Sequence, residues 1–283
     1  MTAQFGGLSK KQFSKYYDSE IVILPVPYDG TSSWVKGSSK GPAAIIEASK
    51  YLELYDIETN TCVYKRGIHT LPHMEVDGTD KPESVIKRIE HEAQKHLNKF
   101  IVMLGGEHSI TTGLVRALRK KHLNFSVLQL DAHADSRDRY KGSPYNHASV
   151  MARVKEVCPI VQVGIRSMAE EEAHSVHWEN IFLAKDIYND DSWIQEAVNK
   201  LREKVYITID VDVFETSLMP STGTPEPGGL GWYQVLKFLK KVIEKRKIIA
   251  FDVVELCPSK DNKSPDFLAA KLVYKILSYI YNQ

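Results

Sequence analysis

Cysteine is scarce in this chain: Cys62, Cys158 and Cys257 are the only three in 283 residues, and no CxxC pair occurs. So odd and scattered a set argues against a disulfide framework and against a zinc–thiolate site. An excess of one charge sign is missing too. Lys and Arg number 37, Asp and Glu 36, and the formal net charge is +1, so electrostatics gives no reason to expect nucleic acid or an acidic surface as partner. No apolar run approaches the ~20 residues that span a bilayer. The opening stretch, MTAQFGGLSKKQFSKYYDSE, lacks the apolar centre of a secretory signal. Internal repeats and low-complexity linkers are also lacking. These absences make a cytoplasmic globular chain the default expectation, with residues 1–283 as a single catalytic domain and a polar N-terminal arm over about residues 1–18.

What the chain does have is alternation. Short, largely unbroken apolar runs rich in β-branched residues occur at 21–26, 100–104, 125–130, 160–163, 181–184, 205–209 and 248–254. Such runs read as strands buried on both faces. Between them, segments 81–99, 109–121, 192–203, 231–246 and 264–281 space their apolar residues at helical intervals. Strand–helix alternation predicts a three-layer α/β/α architecture around a central, mostly parallel sheet. Ligands of such sheets bind beyond the carboxyl ends of the strands.

The polar clusters fall at those ends. Run 100–104 leads into GGEHS (105–109), run 125–130 into DAHAD (131–135), and run 205–209 into Asp210-Val211-Asp212. In an extended chain alternate side chains point the same way, so Asp131, His133 and Asp135 are expected to converge, as are Asp210 and Asp212. Any one of these acids alone would read as a cap or turn residue. Four Asp and two His, counting His108, at the mouth of one sheet are different. Bare carboxylates crowded together raise each other's pKa strongly, and two divalent cations would balance the four charges. A carboxylate-rich, thiol-free set with two imidazoles suits Mn²⁺, with Fe²⁺, Co²⁺, Ni²⁺ and Zn²⁺ as alternatives. His108 and His133 are expected to bind as neutral imidazoles.

GGEHS, DAHAD, IDVDVF (209–214), STGTPEPGG (221–229) and DVVELCP (252–258) resemble, in order and spacing, the motifs of the ureohydrolase family, the arginases and agmatinases. The resemblance runs from about Ile21 to the C-terminal helix and implies an arginase-like fold. It also implies one Mn²⁺ on His108, Asp131, Asp135 and Asp210, and a second on His133, Asp131, Asp210 and Asp212, with Asp131 and Asp210 bridging. By the same resemblance Glu255 binds the guanidinium, the Thr224 hydroxyl contacts the guanidinium region, and His147 shuttles protons. His147, Asp135 and Glu255 are then the catalytic set. Asp252, one position out of phase with Glu255 on an extended strand, reads as structural. The other histidines, His69, His73, His91, His96, His122, His174 and His177, read as surface or packing residues. Family members are usually trimers or hexamers, which implies a homo-oligomer.

The chemistry explains the need for metals. A guanidinium carbon is a poor electrophile and water a weak nucleophile, whereas a divalent metal lowers the pKa of water from about 15.7 to about 7. The loop after DAHAD, Ser136-Arg137-Asp138-Arg139-Tyr140, lacks the arginase pattern, and Ala169 stands where an arginase carries an acid. Both departures resemble agmatinases, so the expected reaction is agmatine to putrescine and urea. N-aminopropylagmatine, guanidinobutyrate and arginine remain alternative guanidines, and Arg137 is a cation that would favour a carboxylate-bearing substrate. A one-metal deacetylase would leave His108, Asp135 and Asp212 without a role. A non-catalytic metal-binding protein would not need Glu255 and His147.

Overall fold

Residues 3–8 and 11–282 are described by the computed structural model, and their strands form one eight-stranded sheet. The strands are β1 Ile21–Val26, β2 Ile68–Thr70, β3 Phe100–Gly105, β4 Ser126–Leu130, β5 Ile160–Ile165, β6 Ile181–Leu183, β7 Lys204–Asp210 and β8 Lys247–Val254. Their spatial order is β2-β1-β3-β8-β7-β4-β5-β6, and each neighbouring pair is parallel. The unbroken apolar runs serve both faces at once. Ile21, Ile23, Val102, Leu104, Ile207 and Ile209 feed one core. Their sequence neighbours Val22, Leu24, Ile101, Met103 and Tyr206 feed the other, as the two-residue period of a strand requires.

Helices cover both faces. On one side lie α1 Gly41–Ser49, α5 Ser192–Lys200, α6 Trp232–Lys245 and α7 Ser264–Ile280, which contribute Ile45, Trp193, Phe238 and Leu272 to the first core. On the other lie α2 Pro82–Gln94, α3 Thr111–Arg119 and α4 Val150–Lys155, which supply Val85, Leu114 and Met151 to the second. The three-layer α/β/α architecture is therefore present. Strand β2 and helices α1 and α4 were not expected from the sequence. β2 has three residues and α4 six, too short for a period to show. The segment expected as a polar arm docks where it is described: Phe5 is fully buried, and its N–H donates to Thr70 Oγ1 at 2.9 Å.

Register fixes where the polar clusters meet. Leu104 pairs with Val253, Asp210 with Val254, and Leu130 with Ile209. The carboxyl ends of β3, β8, β7 and β4 thus lie side by side, and segments 106–109, 255–258, 210–212 and 131–135 emerge along one edge. Gly106 makes the first of these turns possible. Its N–H donates to Val26 O at 3.0 Å, and its carbonyl accepts from Glu255 N at 2.7 Å. A β-carbon added there would stand 2.0 Å from the Tyr28 carbonyl oxygen. Gly106→Ala is expected to destabilise the fold by about 1–3 kcal/mol or more, the range for forced overpacking. Urea unfolding checks this, and an unchanged midpoint would show that the backbone yields without cost.

Candidate active site

Six side chains proposed as metal ligands come together, although two of them arrive by a route other than the expected one. His108 Nδ1 faces Asp131 Oδ2 at 3.1 Å, Asp135 Oδ2 at 3.3 Å and Asp210 Oδ2 at 3.5 Å. His133 Nδ1 lies 2.9 Å from Asp212 Oδ2 and 3.7 Å from Asp131 Oδ1. Two tight donor groups result, His108–Asp131–Asp135 and Asp131–His133–Asp212, with Asp131 in both. Asp210 belongs to neither tight group but adjoins the first through His108. Strand alternation does not carry Asp135, because the chain leaves extension after β4 and Asp135 takes a left-handed φ of 49°. Nor does it carry Asp212, which sits in the helical turn Val211–Val213 with its N–H donating to Asp210 Oδ1 at 2.9 Å. A left-handed non-glycine residue is a strained one and is often found at functional sites.

The layer beneath sets the histidine tautomer. Buried Asp252 accepts hydrogen bonds from Thr111 Oγ1 at 2.7 Å, from Thr208 Oγ1 at 2.5 Å and from the Tyr206 hydroxyl. Thr208 has thereby given away its proton, so its oxygen accepts from His108 Nε2–H at 2.9 Å. The Nδ1 lone pair then points at three carboxylates, and this fully buried atom has no hydrogen-bond partner. Among the protein's own charges this is a conflict. Burial and neighbouring Asp131 push Asp135 up to about 6. Burial and the adjacent acids also push Asp210 well above, and Asp212 above, the ordinary carboxylate range. Burial would lower the two histidines, yet carboxylate contacts raise His108 well above its usual value and His133 up to about 12. Each shift is a demand for positive charge. Two divalent ions would meet that demand, and the Asp and His donors match those that hard to borderline divalent metals prefer.

A cavity of about 220 Å³ opens over this centre, lined in part by His133, Asp135, His147, Thr224 and Glu255. The sequence reading puts Glu255 on the same extended strand as Asp252. The strand instead stops at Val254, and Glu255 turns out of it with a φ of 65°. Its Oε1 accepts from His108 N–H at 2.7 Å. Burial raises its pKa to about 8, with His147 opposing and Glu107 adding to the shift. His147 opens the turn His147–Ser149. Burial would lower its pKa, but Glu107, assisted by Glu255 and Asp135, raises it. Arg137 and Ala169 also line the cavity. The Arg137 guanidinium is already engaged, 3.3 Å from Glu171 and 3.6 Å from Glu172, over the Tyr140 ring at 4.8 Å.

Sequence reading missed several participants. Glu107 sits beside His147, Glu226 Oε1 lies 3.7 Å from His133 Nε2, and Trp34 and Tyr140 stand in the cavity wall. Glu107 lies inside GGEHS, so that motif itself carries a signal for it. Trp34 and Tyr140 carry no signal without tertiary structure. Manganese loading followed by desalting and metal analysis should give near two ions per chain. Asp131→Asn should lower that count more than Asp135→Asn or Asp212→Asn, because Asp131 alone belongs to both donor groups. A wild-type value of one would contradict the two-group centre.

Known proteins resemble this chain over nearly its whole length. The family model described as the arginase family matches residues 19–278. The N(1)-aminopropylagmatine ureohydrolase of Synechocystis sp. is 39% identical over 284 residues, spanning 96% of this chain and 92% of that protein. The agmatinase of Pyrococcus horikoshii is 35% identical over 271 residues, spanning 92% of each. The crystal structure of agmatine ureohydrolase of Thermoplasma volcanium superposes with a TM-score of 0.88 at 30% identity, covering 100% of this chain and 95% of that one. The family match spans all eight strands, both donor groups and the cavity wall: this chain belongs to the arginase family.

Proposed function

We propose that this ureohydrolase releases urea from agmatine, leaving putrescine, with Mn²⁺ as the metal at both donor groups. The observation that carries the substrate choice is the cavity wall. Its one Lys or Arg among the described lining residues, Arg137, is committed to Glu171 and Glu172, so no Lys or Arg of the wall is free to neutralise an α-carboxylate. Glu255, by contrast, offers a buried carboxyl group to a guanidinium. Burying an unpaired carboxylate costs several kcal/mol, which disfavours arginine. N-aminopropylagmatine is the second reading, supported by the Synechocystis relative of that name.

In this reading His108, Asp131 and Asp135 would hold one ion and His133, Asp131 and Asp212 the other, with Asp210, which adjoins the first group through His108, as a further ligand to both. The bound pair supplies Lewis acidity that makes water a competent nucleophile at neutral pH. The chain's own residues do the rest. Glu255, whose carboxyl group burial pushes up, forms charge-assisted hydrogen bonds with the guanidinium once ionised. Thr224 offers a hydroxyl to the same group from the loop of residues 221–229. Water adds to the guanidinium carbon, forming a C–O bond, and the bond from that carbon to the chain-bearing nitrogen breaks. Both protons that the water gives up end on the departing amine, one of them by way of His147, which is thereby returned to its starting state. Urea and a protonated amine account for all atoms.

Measured side by side with Mn²⁺, kcat/KM for agmatine should exceed that for arginine by about 10²-fold or more, given the burial cost of the carboxylate. Equal values would mean that the pocket neutralises an α-carboxylate after all. Glu255→Gln should keep both metals and the fold yet lose roughly two orders of magnitude or more in kcat/KM for every guanidine tried, as expected for a buried ionic contact. Loss of a metal instead would move Glu255 into the metal centre.

A further inference from the structure

Thr31 lies outside every motif that carries the function, in the loop after β1. Its Oγ1 nevertheless sits at a junction. It donates to Glu107 Oε2, accepts from the His147 backbone N–H at 3.1 Å, and lies 3.3 Å from His147 Nδ1. Glu107 Oε2 is itself 3.5 Å from that Nδ1. The other Glu107 oxygen accepts the Ser109 hydroxyl at 2.5 Å, and the residue is fully buried. Tyr140 packs edge-on against the imidazole, with ring centroids 5.7 Å apart.

The proton count is decisive. Thr31 has one hydroxyl proton, and it points at Glu107. Toward His147 the oxygen can therefore only accept, and the nearest carboxylate oxygen can only accept as well when ionised. The ring nitrogen facing both must carry a hydrogen. We propose that Thr31 and Glu107 are positioning residues that fix His147 with its proton on Nδ1, leaving Nε2 as the atom that exchanges the proton with the departing amine. The inference deepens the proposed function and rests on it. Neither residue touches substrate in this account, and each acts through His147. The loop that supplies Thr31 continues into Ser32, Ser33, Trp34 and Val35, which line the same cavity, so its hold on His147 is part of the cavity wall.

The test uses Mn²⁺-loaded enzyme and agmatine. Thr31→Val keeps shape but removes the hydroxyl, and it should lower kcat about ten-fold or more, bounded above by the 10²–10⁴-fold loss of a proton-transfer group, while KM and metal content stay nearly unchanged. Thr31→Ser should restore most of the rate. His147→Ala should lose about 10²–10⁴-fold. In that background Thr31→Val or Glu107→Gln should cost little more, because contacts that act through one residue are non-additive. Full additivity, or a Thr31→Val enzyme with the wild-type kcat, would overturn the proposal. Nitrogen NMR of histidine-labelled protein gives a readout that does not depend on turnover. Wild type should show His147 protonated at Nδ1, and Thr31→Val should lose that preference. A wild-type ring protonated at Nε2 alone would overturn the assignment whatever the enzyme hydrolyses. Absence of urea from every guanidine would instead defeat the proposed function.

Discussion

The crowding of four aspartates against two imidazoles beneath the surface of one sheet edge is the constraint on which the rest of the structure depends. Asp131, Asp210 and Asp212 are each 3% exposed or less, and Asp135 is 8% exposed. Water cannot screen charges held so deep, so the protein must supply or recruit opposite charge. His108 and His133 provide part of it. The mismatch that remains, seen in the upward shifts of Asp135, Asp210 and Asp212, is what divalent cations remove. Stability and function would meet at this point, because ions bound by these donors would favour only the folded arrangement.

Around that centre the chain spends its hydrogen bonds on orientation. Asp252 gathers three hydroxyls and, through Thr208, fixes the His108 tautomer, the arrangement expected of groups that steer metal-binding imidazoles. Gln129 Nε2 donates to Asp131 Oδ2 at 2.6 Å, and Gln162 donates to Gln129 at 2.6 Å. Arg166 donates to the carbonyls of Gly164, Asp212, Glu226 and Pro227. That guanidinium thus ties the loop carrying Thr224 to the segment carrying Asp212. These contacts place the donor atoms before any ion or substrate arrives, which is the condition for precise chemistry on a rigid scaffold.

Much of this was legible in the chain itself. The two-faced apolar runs became strands at nearly the expected positions, because burial on both faces leaves no room for polar residues. The polar clusters met because parallel strands of one sheet end at one edge. The failures are local and share a cause. Alternation was extended past the strand ends, where backbone hydrogen bonds no longer enforce it. Asp135 and Glu255 take positive φ values, and Asp212 enters a helical turn. Each side chain still reaches the centre, by turn geometry that no two-residue period encodes. Thr31 had no signal at all, since its partners lie 76 and 116 residues away in sequence.

The claim at the centre of this account is that two cations share Asp131. Anomalous diffraction from crystals grown with manganese tests it most directly. The account predicts two peaks per chain, one against His108, Asp131 and Asp135 and the other against Asp131, His133 and Asp212. A single peak, or two peaks that leave Asp131 outside one coordination sphere, would contradict it.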